Sequence, residues 1–182
     1  CAELAKGSWL KFLHGDDVMR PRRLSELGEI TKIDGVAMVV TTNLHSWLPA
    51  VLSPADAYRY EFGQSPVFMS SPSGVLYEAL SFQRHCGFPL RHTPSQRYLG
   101  FRLCTDGKLA LVPGPETTAL PQEATYNVDD IHKLPDLGLS EGINWLVPLL
   151  QSDACPLERD EAALCLANLK RGYVRRLRVL FR

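Results

Sequence analysis

The chain has 182 residues, 45% of them hydrophobic and 22% charged, which suits one globular domain with a substantial core and excludes a chain disordered by composition. Twenty basic and twenty acidic side chains cancel, so no overall field draws the protein to nucleic acid or to an acidic substrate, and any charge effect is local. Five scattered cysteines, Cys1, Cys86, Cys104, Cys155 and Cys165, include no CxxC pair, which argues against a disulfide framework or a structural zinc site.

A reducing cytosol is therefore the expected compartment. No apolar run approaches the roughly 20 residues of a membrane span and no basic-then-apolar leader begins the chain, so membrane attachment is expected at most at the inner face. In chain order, residues 2–6 read as a helix end closing on Gly7, where positive φ is cheap. Cys1, with no initiator methionine before it, suggests a chain entered partway through its fold. Residues 8–13 (SWLKFL), bounded by Gly7 and Gly15, predict a buried strand too short for a helix. Pro21 suits a helix start, with Leu24, Leu27 and Ile30 as the apolar stripe.

GVAMVVTT (35–42) predicts a second strand, whereas 43–69, rich in Pro and aromatics, carries no clear assignment. SSPSGVLYEALSFQRHCG begins with serine caps and predicts a helix from about Ser73. In PSQRYLGFRLCTDGKLALVPG, Pro94 opens a helix, Leu99 and Leu103 share a face, Gly107 closes it, and KLALVP predicts a strand. Residues 113–121 read as a turn-rich connector, followed by helices over 138–151 and 156–181, the second opened by Pro156 and weakened by Gly172.

Alternating strands and helices place the chain in the α/β class, where sites usually sit at the C-terminal ends of strands. This gives WLKFLHGDDVMRP (9–21) two readings. Its adjacent carboxylates form either a solvated turn capping the helix at Pro21, or a seat for a hard divalent cation. A short turn after a buried strand holds carboxylates toward a crevice, where a bound cation offsets the charge of a diphosphate leaving group.

AKGSWLKFLHGDDVMRPRRL resembles the segment of family-two glycosyltransferases that reads Ala-x-Gly-x-aromatic-Ile/Leu-x-Phe-Leu-Asp/His-x-Asp-Asp, then Pro and Leu. Ala5, Gly7, Trp9, Leu10, Phe12, Leu13, His14, Asp16, Asp17, Pro21 and Leu24 fall in that frame. The resemblance implies a partial GT-A (Rossmann-like) domain over 1–125, with 126–182 a helical tail. It also implies an inverting transfer of a sugar from a nucleotide-sugar donor to a glycan or lipid-linked acceptor of the cell envelope, assisted by Mg2+ or Mn2+. His14 and Asp16 occupy the first and third positions of the DxD motif, which makes Asp16 the candidate metal ligand, while Asp17 supports the site or the sugar.

SPSGVLYEA (71–79) looks like the family's acceptor-side segment, in which Ser73 and Gly74 would let an acceptor approach the backbone; a capped helix start is the alternative. PSQRYLGFRLCTDGKLALVPGP resembles a later segment, with Leu99, Phe101, Arg102, Leu103, Gly107 and Pro113 in frame. The catalytic base of the family, an aspartate, falls at Gln96, and an amide cannot take a proton at neutral pH. His92 is a nearby substitute. The family's Arg-x-His after the last strand has no counterpart in TTALPQEATYN, and the half that holds the nucleotide base is expected to precede this chain.

Residues 166–182 contain six basic side chains and no acidic ones, interleaved with apolar residues. That pattern suits an amphipathic helix on anionic lipid, or a helix packing its apolar stripe on the domain with a solvated basic face. Two further functional readings stand beside the transferase: a non-catalytic relative that binds sugar or a partner protein, and an interaction domain whose basic tail is its working surface.

Overall fold

The computed structural model describes residues 4–15, 17–42, 50–62, 67–68, 71–88, 95–114, 117–119 and 144–180. In chain order the elements are β1 (Trp9–Lys11), β2 (Asp17–Met19), α1 (Arg23–Ile30), β3 (Val36–Thr42), β4 (Ala50–Leu52), α2 (Pro54–Phe62), β5 (Val75–Glu78), α3 (Ala79–Arg84), α4 (Ser95–Asp106), β6 (Lys108–Pro113), β7 (Thr117–Ala119), α5 (144–151) and α6 (Arg159–Leu180).

The principal sheet has five strands in the order β1-β5-β3-β6-β4. Only β3 and β6 run parallel; β1/β5, β5/β3 and β6/β4 are antiparallel. The chain is thus α/β, as expected, but its sheet is mostly antiparallel rather than the mostly parallel sheet of a Rossmann-like arrangement. β2 and β7 form a separate two-stranded sheet.

Both faces of the main sheet are covered. On one face Met38, Val40, Tyr77, Leu109 and Leu111 meet Tyr58 of α2, Phe82 of α3, and Leu99, Phe101 and Leu103 of α4. On the other, Leu27 of α1 lies against Val36, Val39, Leu76, Ala110 and Val112. A strand alternates faces with period two, which would put Val36 with Met38 and Val40. The register shift between Val36 and Met38 inverts that parity and returns Val36 to the α1 face. The buried run VAMVV is therefore apolar at every position because both faces are occupied.

Several sequence expectations are corrected. The helix predicted from Ser73 is a 3-10 turn, Pro72–Gly74, followed by strand β5, and helix begins only at Ala79. Ser71 does cap the turn, its hydroxyl accepting the Ser73 N–H, but the β-branched and aromatic run VLY extends between β1 and β3. The true helix cap is Glu78, whose carboxylate accepts the Ser81 N–H at 2.6 Å.

Strand β1 spans three residues rather than six and lies at the sheet edge. Helix α1 begins two residues after Pro21, behind Arg22 at φ 66°, and Leu24 is 56% exposed, so the buried stripe is Arg23, Leu27 and the half-covered Ile30. The unassigned stretch 43–69 contains β4 and α2, and the connector 113–121 contains β7.

The strand 35–42, the helix after Pro94 and the strand KLALVP agree with the sequence reading. Gly107 joins the last two where no side chain fits: a Cβ there would lie 2.6 Å from the Gly35 carbonyl oxygen. α5 supplies Trp145, Leu146, Leu149 and Leu150 to the larger core, and the first half of α6 adds Ala162, with Cys165, Leu166 and Leu169 packed against it. Arg59 of α2 grips Glu161 of α6 through two hydrogen bonds of 2.9 and 3.0 Å. α6 then continues as helix through Gly172 to Leu180. Cys86, Cys104, Cys155 and Cys165 are free thiols.

Candidate functional site at one end of the sheet

Strand direction brings the candidate residues to a common end. Because β3 and β6 are parallel, Thr42 and Pro113 finish side by side. The antiparallel partners β5 and β1 place the start of β5, at Val75, and the end of β1, at Lys11, at that same end. Helix α4 returns the other way, since the Lys108 N–H donates to the Gly35 carbonyl at the far end of the sheet. Its 12 residues span about 18 Å, comparable to the length of β6, so Ser95 and Gln96 begin at the end where β3 and β6 finish.

Two turns meet there. The Ser73 side chain is 1% exposed, and its hydroxyl oxygen accepts the His14 backbone N–H at 2.9 Å. The Lys11 ammonium donates to the Ser73 carbonyl. The Thr41 hydroxyl donates to the Gly74 carbonyl at 3.0 Å, and the Gly74 N–H donates to the Ser71 carbonyl at 2.7 Å. The 3-10 turn thus fastens the ends of β1 and β3 to each other. Ser73 is a buried part of that bracket, and the half-buried Gly74 is the residue of the pair with surface left for a ligand.

The acidic turn leaves β1 directly after this bracket. It is closed by the Asp17 N–H donating to the His14 carbonyl at 3.1 Å. Asp17 then enters β2 opposite Ala119 of β7, so the β6–β7 segment borders the turn on its second side. His14 is exposed and Asp17 is half-buried, whereas Asp16 lies outside the described residues.

Arg23, which sequence reasoning passed over, stitches α1 to the same corner. Its buried guanidinium donates to the Pro113 and Gly114 carbonyls at 3.1 and 3.4 Å and to Glu26 at 2.9 Å. The Gly114 N–H in turn donates to the Thr42 carbonyl at 3.0 Å. No local pattern signals this, because the partners are backbone oxygens about 90 residues away.

A second buried charge shapes the start of α4. The Glu61 side chain is fully covered: one carboxylate oxygen accepts the Val67 and Phe68 N–H groups at 2.6 and 2.9 Å, and the other accepts Arg97 Nε at 2.6 Å. Burial pushes this carboxyl's pKa up, while the Arg97 charge and the two N–H donors act in the opposite direction. Arg97 also lies over the Phe101 ring, 5.9 Å from its centroid. The neighbouring Gln96 is half-buried, and no hydrogen bond among the described residues links it to either turn. His92 lies outside the described residues.

Among the described residues no group of three His, Cys, Asp or Glu side chains comes together to enclose a metal ion. The donor chemistry at the acidic turn still suits Mg2+ or Mn2+. These ions take hard oxygen ligands, keep several waters, and are commonly held by one or two carboxylates together with substrate phosphates. Asp17 supplies one such carboxylate from a hydrogen-bonded turn, and Asp16 is its neighbour in the chain. No protein-family model matches the chain, and no curated protein matches it.

Proposed function

We propose that this chain is part of a GT-A-type glycosyltransferase that moves a sugar from a nucleotide-sugar to a hydroxyl of a glycan or lipid-linked acceptor. The observation that supports this reading is positional. The turn 14–17 leaves edge strand β1 at the end of the sheet where β3 and β6 finish and α4 begins, held by Ser73 on one side and bordered by β7 on the other. Crevices of this kind, outside strand ends, are where α/β folds bind phosphorylated ligands.

In this reading Asp16 and Asp17 supply the hard oxygens for Mg2+ or Mn2+, with His14 flanking them. The cation, when bound, offsets the charge that develops on the departing nucleoside diphosphate. The fixed backbone of the turn keeps the carboxylates from retreating into solvent. Gly74 borders the acceptor, and Gln96 hydrogen-bonds it through an amide that orients a hydroxyl without deprotonating it. Glu61 does not replace the missing base, since its carboxylate is covered and engaged by three N–H donors. His92 is the nearest sequence candidate for that task.

A second reading follows from Gln96 itself: the same fold serves as a non-catalytic module that binds a sugar or a partner protein. Product formation from a panel of nucleotide-sugars, measured on the full gene product and on Asp16→Ala, separates the two. The transferase reading expects turnover that falls at least 100-fold in Asp16→Ala. Turnover indifferent to that change ends the metal assignment, and glycan binding without turnover from any donor favours the module.

The proposal also includes a cytoplasmic location, with the basic stretch 166–182 meeting the inner face of an anionic membrane. None of the described helices is long and apolar enough to cross a bilayer, so that contact would be peripheral.

A further inference from the structure

We infer that Ser73 is a positioning residue for the acidic turn rather than a contact for the acceptor. The inference rests on the reading of residues 14–17 as a cation seat and adds the device that sets the seat's geometry. Two observations point to it. First, the Ser73 side chain is 1% exposed, so no acceptor reaches its hydroxyl. Second, that hydroxyl accepts the backbone N–H of His14, the residue at which the chain turns away from the sheet, across 59 positions of sequence.

The bond gains its precision from what holds Ser73. The Ser73 N–H donates to the Ser71 hydroxyl, the Ser73 carbonyl accepts the Lys11 ammonium, and the next carbonyl, that of Gly74, accepts the Thr41 hydroxyl at 3.0 Å. These bonds fix the 3-10 turn to the ends of β1 and β3, so the hydroxyl oxygen is a rigid point tied to the sheet. The adjacent turn bond, Asp17 N–H to His14 carbonyl, then begins from a fixed His14 peptide. A cation seat built on a turn requires its supporting groups to be locked in this way, because a small loosening of the ligands is enough to weaken binding.

Hydrogen–deuterium exchange on the full chain, combined with Mn2+ titration, tests this. In Ser73→Ala, exchange of the peptide covering residues 12–19 is expected to speed up roughly fivefold, with protection in β3 and β6 unchanged, as loss of one such hydrogen bond implies. Mn2+ affinity is expected to fall roughly threefold to tenfold, and Ser73→Thr, which keeps the hydroxyl, is expected to restore both. Should Ser73→Ala lose protection throughout the sheet, Ser73→Cys, of nearly the same shape but a weak acceptor, is judged by the same readouts.

Unchanged exchange at 12–19 overturns the inference. Faster exchange with Mn2+ affinity at the wild-type value also overturns it, since the seat would then form without being held. Mn2+ binding that ignores Asp16→Ala refutes the cation-seat reading instead, and the exchange measurement alone then decides whether Ser73 sets the turn.

Discussion

Replacing Glu61 with alanine leaves two buried backbone donors, the Val67 and Phe68 N–H groups, without the carboxylate oxygen they share at 2.6 and 2.9 Å. Each orphaned donor costs about 1–3 kcal/mol. Arg97 loses its partner too, but its side chain is 22% exposed and recovers water, so its share is discounted. The sum is about 3–5 kcal/mol, in line with breaking one side of a buried ion pair. That is a large part of a typical domain stability of about 5–15 kcal/mol.

Glu61→Gln separates the contributions. Its amide oxygen can still accept both backbone donors, while its NH2 group faces Arg97 Nε, so it is expected to cost roughly half as much as alanine. Urea unfolding of the three proteins with a common slope measures the differences, and melting temperatures are expected to drop by roughly 6–20 °C for alanine. If Glu61→Ala lies within about 1 kcal/mol of wild type, or if glutamine is as damaging as alanine, this account of the α2–α4 junction is wrong.

Gly107→Ala places a methyl group 2.6 Å from the Gly35 carbonyl oxygen, which is backbone and moves only with β3; a loss of about 1–3 kcal/mol in urea unfolding is expected. Tyr58→Phe removes the buried hydroxyl that donates to the Phe101 carbonyl at 3.0 Å and is expected to cost about 1 kcal/mol with the circular-dichroism spectrum unchanged. The Arg59 hydrogen bond holds the Glu161 carboxyl below its ordinary value of 4.5, so the folded state releases this proton more readily than the unfolded chain. The stabilisation from the pair is accordingly present above pH 4.5 and lost as pH falls through the lowered folded value, so wild type and Glu161→Gln should differ at neutral pH and converge in acid. Lys170 and Arg171 are exposed on α6; changing both to glutamate is expected to reduce sedimentation with anionic vesicles, and equal sedimentation removes the lipid contact from the proposal.

Much of the local architecture was legible. Residues 36–42 and 108–113 are dense in β-branched and apolar residues, and Pro94 and Gly107 bracket α4 as helix punctuation. Helix α2 was also within reach: Ser53 caps it, with its hydroxyl accepting the Asp56 N–H at 3.2 Å and Pro54 in the first helical position. The aromatic richness of 43–69 obscured that start signal. The error at Ser73 had a different origin. A serine cap was read correctly, but what followed was decided by β1 and β3, which take the run VLY as the strand between them.

By itself, the sequence determined the α/β class, the buried strands β3 and β6 and the extent of α4, because side-chain period, β-branching and Pro/Gly punctuation act over a few residues. It also drew attention to the acidic turn. Only the tertiary structure decided the strand order, the mostly antiparallel pairing, the buried duties of Arg23 and Glu61, and the bond from Ser73 to the His14 backbone. Each of those depends on groups 6 to 91 positions apart finding a common place out of water, where an unpaired donor or charge would be costly.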